Sequence, residues 1–281
     1  MLTISQIKEI FRENNFRPLK RLGANYLIDS NIKDKMVRYI GALTDDTVLE
    51  IGPGLGALTI DLADAKAKVI AVDKDKKACG ILREIVQGRY PRLEIYNKDI
   101  LKYEIKKLYD GKKIKIAGNL PYYITTPIIE WIIRNRRYIQ SAVLMVQKEV
   151  ARRYMAKPGD DEYGSISCFV TYYAEPEYLC TVKSSSFYPK PEVDSAIMRL
   201  KFLDQPAVKV DDEELFFRIV RGAFNQRRKS ILNSLSRDEV LAMPKDKLSA
   251  TLCRAGIDPS ARPETLGLSD FARIANSIRI A

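Results

Sequence analysis

Over its first two hundred positions the 281-residue chain alternates short apolar runs with amphipathic stretches. Residues 47–51, 68–73, 93–97, 113–117 and 141–146 read as strand-length segments, of which 47–51, 68–73 and 141–146 are largely continuous apolar runs rich in Val, Ile and Ala. Such runs suit strands buried on both faces of a parallel sheet. Between them, 57–65, 76–86 and 126–135 repeat apolar residues at helical spacing, and a basic helix is expected from Lys148. Earlier, Thr3-Ile-Ser-Gln6 has the form of a capping box ahead of Ile4, Ile7 and Phe11, and a second helix is expected over 31–40, capped by Asp29 or Ser30. Residues 177–182 and 195–202 read as two further strands. Strands alternating with helices in this way predict an α/β fold, a Rossmann-like sheet with helices on both faces.

That rhythm stops at Asp204-Gln-Pro-Ala-Val-Lys-Val-Asp-Asp212. Beyond it only helical patterns follow, at 213–224, 229–235, 245–255 and 270–278. Two domains are therefore expected: 1–203, an α/β domain with an N-terminal helical extension, and 204–281, a small all-helical domain.

Glu50-Ile-Gly-Pro-Gly-Leu-Gly56 closes the first long strand and opens a helix. Glycines there let the backbone approach a ligand where side chains would intrude, which makes Gly52 and Gly54 candidate cofactor residues. Asp73 falls nineteen residues after Gly54, at the end of the next strand, where a carboxylate can accept both hydroxyls of an adenosine ribose. Asp99, after the third strand, is placed to accept from an adenine amino group. The spacing also fits a dinucleotide fingerprint. S-adenosylmethionine is favoured over NAD on two grounds: Glu50 is placed to meet a cationic methionine end, and there is no second mononucleotide half or candidate hydride-transfer acid.

Asn119-Leu-Pro-Tyr122 adds a target site. An adenine amino group is a poor nucleophile because its lone pair is delocalised into the ring. Acceptors that hold both amino hydrogens pyramidalise the nitrogen, and the Asn119 side-chain oxygen and the Leu120 carbonyl suit that task. Pro121 fixes the turn and offers no competing N–H. Tyr122 can stack on the base, offsetting part of the cost of extracting it from a helix.

Composition narrows the chemistry. The chain has no histidine, which excludes imidazole triads and helical His-Glu zinc motifs. Its four cysteines, Cys79, Cys168, Cys180 and Cys253, lack paired spacing, so reduced thiols are expected in a cytoplasmic protein, with neither disulfides nor a metal site. No apolar run approaches the ~20 residues of a membrane span, and no charged-then-apolar leader is read at the start. A net charge of +11 and a pI near 9.3 point to a polyanionic partner. The segment after Asp204 is close to neutral, so the excess lies mainly in the first two hundred residues.

Taken together, these segments resemble the ribosomal small-subunit RNA adenine dimethyltransferases of the KsgA type, over nearly the whole chain from Leu22. Leu22-Gly-Ala-Asn-Tyr-Leu27 is similar to the family's N-terminal cofactor motif, with Asn25 and Leu27 at its contact positions. Gly52, Asp73, Asp99 and Asn119 fall on the family's other S-adenosylmethionine positions, and Gln147-Lys-Glu-Val150 and Ser186-Phe-Tyr-Pro-Lys-Pro-Glu-Val-Asp-Ser195 also match. The resemblance implies a class I methyltransferase sheet, and it implies that Phe187 stacks on the adenine opposite Tyr122. Read without it, Phe187 is as well explained as an ordinary core aromatic. One departure is Ala24, where the family usually carries Gln, which puts affinity for cofactor or target in doubt.

Phe224-Asn-Gln-Arg-Arg-Lys-Ser-Ile-Leu-Asn-Ser-Leu235 resembles the same family's basic helix, which makes Arg227, Arg228 and Lys229 a candidate phosphate clamp in an RNA-binding domain. The implied activity is dimethylation of the N6 amines of two adjacent adenosines in the 3′-terminal hairpin of 16S rRNA, within a pre-assembled 30S-like particle, by a monomer. Three rivals stay open at this point: a large-subunit dimethyltransferase of the macrolide-resistance type, an NAD-dependent oxidoreductase, and a non-enzymatic assembly factor.

Overall fold

The computed structural model describes residues 2–16, 25–226, 229–237 and 243–278. In chain order its elements are α1 (Ile4–Glu13), β1 (Tyr26–Leu27), α2 (Ser30–Ile40), β2 (Thr47–Ile51), α3 (Thr59–Asp64), β3 (Lys68–Asp73), α4 (Lys76–Val86), β4 (Leu93–Asn97), β5 (Ile114–Asn119), α5 (Thr125–Arg134), β6 (Ile139–Gln147), α6 (Lys148–Met155), α7 (Ser165–Tyr173), β7 (Ala174–Val182), β8 (Phe187–Tyr188), β9 (Ser195–Phe202), α8 (Glu213–Phe224), α9 (Ile231–Leu235), α10 (Lys245–Arg254) and α11 (Leu268–Ser277). Each predicted strand forms, within a few residues at its ends.

Among the described residues, seven strands make one sheet in the order β4-β3-β2-β5-β6-β9-β7. The pairs β4/β3, β3/β2, β2/β5 and β5/β6 are parallel, and β6/β9 is antiparallel. Val48, Val69, Ala117 and Val143 are buried in one core with Ile32 and Met36 of α2 and Leu62 of α3. Their chain neighbours Leu49, Ile70, Ile116 and Leu144 are equally buried. Successive strand residues point to opposite faces, so both faces of the sheet are covered, as the largely continuous apolar runs predict.

The chain moves outward through β2, β3 and β4, then returns to place β5 on the other side of β2. Ligands in open α/β sheets bind beyond the strand ends at such a switch point. Register makes the point concrete: Ile51 is opposite Gly118, so the glycine turn after β2 and Asn119 at the end of β5 lie side by side. Helix caps read from sequence also hold. Thr3 and Gln6 form the capping box of α1, and Asp29 caps α2 through the Asn31 and Ile32 amides.

Two compact units emerge, one drawn from Met1–Ala151 and Glu177–Phe202, the other from Arg152–Pro176 and Leu203–Ala281. The second unit therefore takes in 152–176, a stretch that the sequence pattern assigns to the first domain. Its core includes Phe169, Tyr172 and Tyr173 of α7 against Phe216 and Phe217 of α8, with ring centroids mostly 5.0–5.7 Å apart. Helix α7 has no counterpart among the predicted elements, and α9 begins at Ile231 rather than 229 because Ser230 caps it.

Candidate active site

A cavity of about 260 Å³ opens at the ends of β2, β3 and β5 and the turn after β4. Asn25, Leu27, Glu50, Gly52, Gly54, Asp73, Asp99, Asn119, Leu120, Pro121 and Tyr122, all read from sequence, line it. Gly52 and Gly54 have φ of +68° and +55°, a region where L side chains are strained, and a Cβ on Gly54 would sit 3.2 Å from the Tyr26 ring.

Each acidic residue is held differently. Asp73 Oδ2 accepts from the Gly54 amide at 3.3 Å and Oδ1 from the Asp75 amide at 2.8 Å, which aims the carboxylate along the glycine turn. Burial raises its pKa, and those amide bonds oppose the rise. Glu50 is 2% exposed, and its Oε2 is buried without a hydrogen-bond partner among the described residues. Burial pushes its carboxyl up to about 7, and the Asp73 charge adds to the rise. The Thr59 hydroxyl pulls the other way, though its Oγ1 makes no bond of good geometry. Asp99 is already engaged: Oδ1 accepts from the Leu101 amide, and Oδ2 meets Lys74 Nζ at 2.9 Å. Lys74 holds its pKa below the usual carboxylate range.

On the opposite wall, Asn119 Nδ2 donates to the Asn25 carbonyl at 2.8 Å, across 94 residues of sequence. That bond commits the amide nitrogen and leaves Oδ1 as an acceptor. The Leu120 amide donates to the Met145 carbonyl at 2.9 Å, anchoring the turn to β6. Pro121 (φ −60°, ψ 130°) leads into a 3₁₀ turn over Tyr122–Ile124. The Tyr122 hydroxyl lies 2.8 Å from Ser195 Oγ on β9, which fixes the half-buried ring.

Phe187 is 2% exposed, pairs with the cavity-lining Leu27 across β1/β8 and belongs to the core with Met145 and Ile197. Of the basic clamp, Lys229 is exposed in the helical unit, and Arg227 and Arg228 lie outside the described residues, as does Ala24. Sequence reasoning missed Lys74, Ser195, Tyr26 and Tyr123. Lys74, between Asp73 and Asp75, was open to suspicion; Ser195 ends a segment that resembles the family, but its bond to Tyr122 depends on the fold.

The cavity thus offers an orphaned carboxylate, a bare glycine backbone and a second carboxylate to a polar ligand, beside an amide acceptor and a tethered aromatic ring for a flat one. The model of the ribosomal RNA adenine dimethylase family matches residues 14–279. The chain belongs to that family. As a ribosomal RNA adenine dimethylase it is a methyltransferase, and the oxidoreductase reading falls.

Among curated relatives of this dimethylase, proteins named ribosomal RNA small subunit methyltransferase A are 41% identical in Alkaliphilus oremlandii (96% of this chain, 95% of the relative) and 43% identical in Moorella thermoacetica (96% of both). Solved structures similar to it include a dimethyladenosine transferase from Plasmodium falciparum, with TM-score 0.77 and 27% identity over 89% of this chain and 95% of that one. The 23S rRNA methyltransferase ErmE follows with TM-score 0.69 and 28% identity over 90% and 99%.

Proposed function

We propose that this enzyme uses S-adenosylmethionine to dimethylate the N6 amines of two adjacent adenosines in the 3′-terminal hairpin of 16S small-subunit rRNA, a step in ribosome biogenesis. The observation that carries the reading is Asn119, whose amide nitrogen is tied to Asn25 so that its oxygen is left to accept. With the Leu120 carbonyl it would hold both amino hydrogens of an adenine and turn the nitrogen lone pair out of the ring plane. Tyr122, tethered through Ser195, would stack on the base. Pro121 contributes no donor to compete for those acceptors.

The cavity fits the cofactor. Glu50 Oε2, buried and unpartnered, would meet the methionine ammonium, and the Gly52–Gly54 backbone would lie against the adenosine. Asp73 would accept the ribose hydroxyls and Asp99 the adenine amino group, with Asn25, Leu27 and Asn119 completing the wall. When bound, S-adenosylmethionine supplies a methyl carbon made electrophilic by its sulfonium, so no deprotonated nucleophile is required. Positioning and electrostatics by the chain carry the rate, and the lack of histidine is compatible with that.

On this reading the described part of the α/β unit is catalytic and the helical unit binds RNA, with Arg227, Arg228 and Lys229 as a phosphate clamp. The protein acts as a cytoplasmic monomer on a pre-assembled 30S-like particle. The names of the curated relatives support the small subunit over the large. Asn119→Ala tests the assignment: single-turnover methyl transfer is expected to fall by about 10²–10³-fold, the scale for removing one preorganised polar group. Binding of S-adenosylhomocysteine, followed by calorimetry, should stay mostly intact and fall far less than turnover, because Asn119 is one of several residues on the cofactor wall. Full activity in that variant would refute the role.

A further inference from the structure

The turn that carries the proposed acceptors presents a second aromatic side chain that none of the chemistry above uses. Tyr123 follows Tyr122 on the 3₁₀ turn Tyr122–Ile124. The two rings are treated in opposite ways. Tyr122 is half-buried and tied to Ser195, whereas Tyr123 lines the same cavity with 54% of its surface exposed. No hydrogen-bond, ring or cation partner engages it among the described residues. Its turn is held rigidly from behind: the Ile124 amide and the Thr125 hydroxyl both donate to the Pro121 carbonyl, at 3.2 and 3.1 Å. An aromatic ring is therefore presented at the rim, on a fixed backbone, with no intramolecular task.

The substrate supplies a task. A base that reaches Asn119 must leave its stack, and one face of the nucleotide beside it is then bare. A ring on the rim, next in sequence to the one that receives the target, is suited to cover that face. We propose that Tyr123 stacks on the nucleotide neighbouring the target adenosine and takes the place of the extracted base. The proposal rests on the RNA-methylating reading above. Stacking of this kind is tolerant of sequence, because every base has a π-face, so Tyr123 would hold the flanking nucleotide without choosing its identity. The ring is required and the hydroxyl is not.

The test uses the full-length enzyme, Tyr123→Ala and Tyr123→Phe, with undermethylated small subunits and with subunits reconstituted around rRNA abasic at the nucleotide on either side of the target. Tyr123→Ala is expected to raise KM for the subunit on the order of tenfold. Its kcat and its affinity for S-adenosylhomocysteine should stay close to wild type, and Tyr123→Phe should match wild type throughout. An abasic neighbour on one side should raise the wild-type KM by a similar factor and leave that of Tyr123→Ala unchanged, the coupling a double-mutant cycle detects. A purely structural role for Tyr123 would not produce that coupling. Wild-type KM in Tyr123→Ala, multiplying effects at both neighbours, or a Phe variant as weak as the Ala variant would each overturn the proposal. A wild-type enzyme inactive on small subunits would sink the underlying reading and this inference with it; an active one with an indifferent Tyr123 sinks this inference alone.

Discussion

Glu50 is the residue whose chemistry is most exposed to test. Its carboxyl is pushed up to about 7 by burial at the end of β2, with Oε2 unpartnered. Between its ordinary value of 4.5 and about 7 the folded protein holds a proton that the unfolded chain has released. Stability therefore falls as pH rises through that window, by on the order of 3 kcal/mol when complete. Glu50→Gln is expected to flatten this slope and to unfold at higher urea than wild type at pH 8, while binding S-adenosylhomocysteine more weakly. A parallel pH dependence in wild type and variant would show that the carboxyl titrates elsewhere. Such strain in a buried acid makes sense where a cationic ligand group relieves it.

Other residues at this scale were unevenly legible. Gly52, Gly54 and Asp73 could be read because spacing along the chain mirrors neighbouring strand ends. The bonds Asn119 to Asn25, Tyr122 to Ser195 and Lys74 to Asp99 could not, since each joins segments whose closeness only the folded sheet creates.

At the scale of elements, β2, β3 and β6 were legible because burial on both faces leaves a nearly uninterrupted apolar signature. Helix α7 was not. Ser165-Ile-Ser-Cys-Phe-Val-Thr-Tyr-Tyr173 is built almost wholly from β-branched, aromatic and small polar residues of modest helix propensity. Burial of Cys168, Val170, Tyr172 and Tyr173 in the helical unit overrides that preference. The β2/β5 pairing makes a sharper demand. At Gly118 a Cβ would stand 2.7 Å from the Ile51 carbonyl oxygen, a backbone atom that cannot swing aside. Gly118→Ala is expected to cost about 1–3 kcal/mol, as overpacking does, and to shift Asn119 next to it. Urea unfolding should show a lower midpoint, and methyl transfer should fall further than stability alone explains. A variant with unchanged midpoint and activity would mean that the strands separate freely there.

For the whole molecule, charge and family point the same way. A net +11, most of it in the first two hundred residues, suits a member of an rRNA-modifying family, and the family match runs through both units to residue 279. The helical unit was legible as a run of helices after Asp204, but its recruitment of 152–176 was not, because membership in a core depends on packing between distant segments. The most direct measurement is transfer of labelled methyl groups to small and large ribosomal subunits that lack these modifications, with products located by mass spectrometry. The expected outcome is N6,N6-dimethyladenosine at two neighbouring positions near the 3′ end of the small-subunit rRNA, and none in the large subunit. Label confined to large subunits, or no label in either, would overturn the assignment.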